Sequence, residues 1–174
     1  MTFVPDQPDP TKILGMDTSS YEDDNETPRK IDWNQAVVNG VRFMNTRASI
    51  GLSKDADFPD FWRDCKSRMP RGAYHFLFPA SLCSIRAQAR LLADQLRADP
   101  GEYAPCVDFE YSGRQKDPKK PSRSIPLYST FSELEGFITY LHEEFPIWPW
   151  KTDVIIYSAF YYWRDHGSLD PKWA

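Results

Sequence analysis

Ala104-Pro105-Cys106-Val107-Asp108-Phe109-Glu110 is an apolar run that ends in two carboxylates at i and i+2. Side chains alternate faces along a strand, so Asp108 and Glu110 share one face and Phe109 takes the other. Two strand rises of about 3.3 Å set their Cβ atoms roughly 6.5–7 Å apart. Acids held this close push their pKa values apart, so that one keeps its proton near neutrality. This is the raw material for acid/base work on a glycosidic bond. The bland reading is a strand end with two solvated acids.

Working outward from this strand, apolar runs and helical periods alternate. Ile13 to Asp17, Val41 to Arg47, Arg71 to Phe78, Tyr103 to Phe109 and Asp153 to Ser158 read as strands. Helices are expected from Ile31 to Val38, Phe58 to Arg68, Leu82 to Ala98 and Thr130 to Glu144. The second carries Phe58, Phe61, Trp62 and Cys65 at i, i+3, i+4, i+7, which is one helical face. Such alternation predicts βαβ units on a parallel sheet, either doubly wound or closing into a barrel. Acids at the ends of the first and fourth strands favour the barrel, where strand C-termini converge on one mouth. No GxGxxG or GxxxxGK[ST] is present to support a nucleotide-binding sheet. Residues 112 to 126, rich in Lys, Arg, Pro and Ser, read as a loop.

The chain has 174 residues, enough for one domain with a real core. Residues 1–12 read as a flexible lead-in and 13–174 as the domain. A net charge of −4 gives no global pull toward nucleic acid or an anionic membrane. Aromatics reach 15%, which suits a packed core and also the stacking of sugar rings. Cys65, Cys83 and Cys106 follow no metal or redox spacing, and Cys106 reads as a small buried hydrophobe. His75, His142 and His166 are too scattered for a zinc set, so no metal and no organic cofactor is expected. The N-terminus lacks the basic start and apolar core of a signal peptide, and no run is long enough to span a membrane. Synthesis in the cytoplasm without membrane insertion is the expectation.

Several segments together resemble the glycoside hydrolase family 25 lysozymes, the Chalaropsis-type N-acetylmuramidases. The resemblance rests on Gly15-Met16-Asp17-Thr18-Ser19, Ile31-Asp32-Trp33, Gly40-Val41-Arg42-Phe43 with Arg47-Ala48, and Gly72-Ala73-Tyr74-His75-Phe76. It continues through Gln88-Ala89, Val107-Asp108-Phe109-Glu110, Ile156-Tyr157-Ser158 and Tyr162-Trp163. The family 18 chitinase motif D-x-D-x-E fails here because Cys106 stands at its first acid. Two departures stand out: Ile50 replaces the Glu of the family's A-T-E-G, and the last three strands of the family's barrel have no counterpart before Ala174.

The resemblance implies a TIM-like β/α barrel, C-terminally incomplete in this chain, and hydrolysis of peptidoglycan glycan strands. Glu110 is the expected general acid, with Asp108 assisting and Asp17 holding the sugar or tuning Glu110. The resemblance implies that Asp108 orients the substrate's acetamido group as that group attacks. Read from spacing alone, the carboxyl separation falls near the boundary between a covalent nucleophile and direct water attack. Tyr74, Tyr157, Arg47 and Trp163 are the candidate substrate-binding residues. His75 points away from Tyr74 and reads as structural. The cations Arg114, Lys116, Lys119, Lys120 and Arg123 read as a solvated run or as an attraction to an anionic wall polymer. A partner or a second copy is expected over the open barrel edge, and a phage lysis protein is a natural setting. The rival is a degenerate barrel that binds cell-wall saccharide without turnover.

Overall fold

A computed structural model describes residues 12–21 and 31–167. The expected lead-in over residues 1–12, all but Lys12, lies outside them, as do the acidic cluster Glu22 to Glu26 and Trp173. Five parallel strands form the sheet: β1 (Leu14–Thr18), β2 (Val41–Ile50), β4 (Arg71–Phe76), β5 (Cys106–Asp108) and β8 (Ile155–Tyr157). Their spatial order follows chain order without reversal, and a two-residue strand, β3 (Ser53–Lys54), pairs antiparallel with β2. Doubly wound sheets reverse their order at a switch point. This sheet has none, so it is a curled part of a β/α barrel. Among the described residues β1 and β8 are its open edges.

The connecting helices are α1 (Trp33–Val38), α2 (Phe58–Cys65), α3 (Ile85–Leu96) and α4 (Phe131–Glu144), with α5 (Phe160–His166) after the last strand. Their starts follow from local chemistry. Asp32 caps α1 by accepting from the Gln35 N–H, and Ser84 does the same for α3 through Ala87. Thr130 and Glu133 close a reciprocal capping box at α4. The anticipated faces are the buried ones: Phe58, Phe61, Trp62 and Cys65 of α2 pack in the core. With Leu92 and Leu96 of α3 and Leu134, Phe137 and Leu141 of α4, they cover one sheet face.

Two features go beyond the sequence reading, and the first corrects it. Residues 112 to 126 do not form a loop. They fold into an antiparallel hairpin, β6 (Ser112–Asp117) with β7 (Lys120–Tyr128). Charge and proline content masked a period-two alternation of half-buried Gly113, Gln115 and Asp117 with exposed Ser112, Arg114 and Lys116. The tail also carries α5, whose Tyr162 hydroxyl donates to the carbonyls of Tyr111 and Ser129.

A bulge at Ala48 sorts the second strand. Arg47 pairs with Tyr74 and Ser49 with His75, so Arg47 and Ser49 fall on opposite faces although i and i+2. Ser49 thereby reaches His75 on the helix side. The fully buried His75 accepts from Ser49 Oγ at 2.8 Å through Nδ1 and donates through Nε2 to Gln88 Oε1 at 3.1 Å. Its ring stacks on Phe137 at 4.9 Å. Burial holds its pKa down to about 4, so it sits neutral between two partners as a structural residue.

Below the mouth the concave face is plugged by aromatic rings. A Cβ at Gly15 would lie 2.1 Å from the Phe43 ring, and one at Gly72 2.0 Å from the Tyr103 ring. Phe43 and Tyr103 meet edge to face at 6.2 Å. Tyr103 donates its hydroxyl to the Met44 carbonyl. At the N-terminal end of β4, buried Arg71 binds Glu102 through Nε and Nη2 and Asp99 through both terminal nitrogens, over the Trp62 ring. The Arg71 guanidinium holds Asp99 down at about 2. Floor and lower rim are therefore fixed, and the upper rim is left for chemistry.

Candidate active site

Strand register carries the acids to one mouth. Asp17 lies beside Asn45, Arg47 beside Tyr74, Tyr74 beside Cys106, and Asp108 lies between Phe76 and Tyr157. A cavity of about 310 Å³ opens there, lined by Asp17, Asn45, Tyr74, Cys106, Asp108 and Tyr157 above Phe43. The strand ends at Asp108, and the Phe109 N–H extends the ladder by one bond to the Tyr157 carbonyl. Phe109 turns to the helix side against Tyr162 and Trp163. Glu110 is thus returned toward Asp108, where its Oε2 accepts the Ala159 N–H at 3.3 Å.

Asp108 is the perturbed group. It is 9% exposed, and its Oδ1 is buried without a hydrogen-bond partner among the described residues. Burial first, then the charges of Glu110 and Asp17, raise its pKa to about 7 against the pull of Arg47. Three carboxyls therefore share a field in which one proton is retained near neutrality. Tyr157 is raised in turn, first by Glu110 and then by its own burial. A buried acceptor aimed into a cavity is an unmet demand for a donor. A bound ligand N–H would meet it.

This mouth can bind a polar ring against apolar and phenolic walls, deliver a proton, and orient an amide. The sequence pattern of glycosyl hydrolases family 25 matches residues 16–171. The chain belongs to that family. Its fold is similar to a muramidase from Acremonium alcalophilum, at 24% identity over 90% of this chain and 70% of that one, with a TM-score of 0.60. It is similar to a family 25 glycosyl hydrolase from Bacillus anthracis, at 22% identity over 89% of this chain and 64% of that one, TM-score 0.57. The catalytic domain of an endolysin from bacteriophage P40 of Listeria monocytogenes gives 17% identity, 90% and 68% coverage, and a TM-score of 0.63. The chain thus spans about two thirds of the length of these structures. No curated protein matches it.

Of the residues singled out in the sequence of this family 25 chain, Asp17, Tyr74, Asp108 and Tyr157 line the cavity together. Glu110 stands beside them, close enough to raise Asp108 and Tyr157. Arg47 and Trp163 are placed otherwise. Arg47 is 6% exposed, binds Asp55 Oδ2 at 2.7 Å and Ser20 Oγ at 3.0 Å, and does not line the cavity. Its fork is occupied, so it reaches the site as a fixed positive charge near Asp108. Trp163 packs on Phe109 and Phe131 on the helical side, away from the lining. The run of aromatics after β8 hid which face α5 turns inward.

Asn45 and Cys106 are lining residues that the sequence reading did not assign to the site. Alternation offered a signal for Asn45, since Phe43, Asn45 and Arg47 fall on one face. The Cys106 thiol is pushed up to about 12 by burial first and Asp108 second. Cys106 is therefore an inert wall rather than a nucleophile. Ile50 ends β2 opposite Phe76 and Ser53, apart from the lining.

Proposed function

We propose that this chain is a muramidase, cutting the β-1,4 bond between N-acetylmuramic acid and N-acetylglucosamine in peptidoglycan. The observation that carries the reading is Asp108, a buried carboxyl raised to about 7 with an unpartnered oxygen, facing a cavity shared with Asp17 and next to Glu110. Family membership supplies the reaction class, and the acid cluster supplies the groups for it.

In this reading Glu110 gives a proton to the glycosidic oxygen as the C1–O bond breaks. The acetamido carbonyl oxygen of the same sugar closes on C1, while Asp108 Oδ1 accepts the amide N–H. Water then adds to C1, returning its proton to Glu110 and reopening the ring. Overall one water is consumed per bond cut. Tyr74 and Tyr157 hold the N-acetyl group, and Asp17 supports the positive charge that develops at C1. No metal or organic cofactor enters this scheme. A phage lysis protein or another wall-lytic enzyme is the setting that fits such a substrate.

Ile50, standing where the family pattern places a substrate-side Glu, favours a second reading: a barrel that binds saccharide without turnover. Muropeptide mass spectrometry after incubation with purified peptidoglycan separates the two. New reducing N-acetylmuramic acid ends, absent with Glu110→Gln, are the expected result. A folded chain that pellets with peptidoglycan and releases no products would replace the enzyme with the binder.

A further inference from the structure

The β6–β7 hairpin begins four residues beyond Asp108, which itself lines the cavity. Its two strands pack chiefly on each other, so it stands off the domain. Tyr111 anchors its start against Phe78 at 4.7 Å, and Tyr128 anchors its end against His166 at 4.2 Å. Between these anchors stand Arg114, Lys116, Lys119, Lys120 and Arg123, against the single carboxylate of Asp117. All five cations are exposed. Asp117 Oδ1 accepts the Lys119 N–H inside the turn, and Arg114 donates to the Ser124 carbonyl.

Among the described residues none of the five has a carboxylate partner. Elsewhere many surface cations are paired: Arg63 with Asp60, Arg86 with Glu143, Arg97 with Glu144, and Lys66 with Asp99. The unpaired ones among the described residues, such as Arg42, Lys54, Arg90 and Lys151, are scattered along the chain rather than gathered in one segment. A positive arm on a chain of net charge −4 attracts a polyanion locally, while the remainder repels it. Arg114 and Lys116 alternate onto one face about 7 Å apart, and six strand residues extend about 20 Å. That reach exceeds one sugar ring, and lysines serve as point-charge partners for phosphate. Among the charged polymers of a cell wall, a phosphodiester chain offers regularly repeated fixed charges along such a length.

We infer that the β6–β7 hairpin is an arm that binds a phosphodiester polymer of the wall, of the teichoic acid type, and so holds the cavity against its glycan. The inference rests on the muramidase reading for its choice of wall. Its test reads binding alone.

The full chain carrying Glu110→Gln is pelleted with Gram-positive sacculi, either native or stripped of phosphodiester polymers by hydrofluoric acid. Binding to native sacculi is expected to exceed binding to stripped ones at least tenfold. Raising salt about fourfold should weaken it on the order of a hundredfold for five phosphate contacts. Replacing all five cations by Gln should abolish the difference, whereas Lys116→Arg, Lys119→Arg and Lys120→Arg, which keep the charge, should preserve it. Equal binding to both sacculi would overturn the inference, because glycan or stem-peptide carboxylates would then be the ligand. Equal competition by single-stranded DNA would overturn it too, by showing a general polyanion surface. If native Glu110 releases no muropeptides while the binding pattern holds, only the muramidase reading falls.

Discussion

Asp108 and Glu110 lie two residues apart and face different fates. Asp108 sits at the last ladder position and is buried, whereas Glu110 lies past the strand, held by the Ala159 N–H. Removing the Glu110 carboxyl should therefore cost chemistry and little else. Glu110→Gln is expected to lower turnover about 10²- to 10⁴-fold, the range of general acid catalysis, with an unchanged thermal midpoint; a fall in midpoint of the same variant would assign Glu110 a structural role. Asp108→Asn has a second consequence. The native carboxyl keeps its proton up to about pH 7, while the unfolded one releases it near its ordinary 3.8. Between these values the unfolded state binds fewer protons, so ionisation disfavours folding increasingly as pH rises, by about 4 kcal/mol at 1.4 kcal/mol per unit. Asp108→Asn should then be less active and more stable than the parent at pH 8, with the gain shrinking toward pH 4. Melting curves at both pH values check this.

Within the elements, two joints set the geometry of the mouth. The first is Gly72 against Tyr103, where a methyl group would meet the ring at 2.0 Å. Gly72→Ala is expected to destabilise by about 1–3 kcal/mol, the usual cost of overpacking. Adding Tyr103→Leu should recover part of that loss, which denaturant titration of the single and double variants would measure. The second is Gln88, which ties α3 to β4. Its Oε1 accepts from Phe78 N–H and His75, and its Nε2 donates to the Phe78 carbonyl. Gln88→Leu strands a buried imidazole and a buried amide, each costing about 1–3 kcal/mol. A loss well below that range would mean that β4 and α3 are held by apolar packing alone.

Across the whole molecule, buried groups with opposite pH dependence face each other through the sheet. His75, held at about 4 on the helix side, costs stability as pH falls from its ordinary 6.5, because only the unfolded state takes up its proton. Asp108, on the cavity side, costs stability as pH rises over nearly the same window. Their contributions are of similar size and opposite sign, so the stability profile of the parent should be nearly flat between about pH 4 and 6.5. Asp108→Asn should uncover the His75 slope, with stability climbing as pH rises; a parent profile that already climbs would show that Asp108 is not buried as described. The sequence by itself determined the alternation of strands and helices, the structural face of His75 and the acids at the strand ends. These follow from local periods and from the two-sidedness of a strand, which neighbouring residues specify. Only the tertiary structure decided that residues 112 to 126 pair as a hairpin, that Asp55 occupies Arg47, and that Trp163 turns inward. It also decided that Asp108 is the carboxyl that burial perturbs. Pairing, occupancy and desolvation depend on residues distant in sequence, and no local pattern encodes which of them arrive.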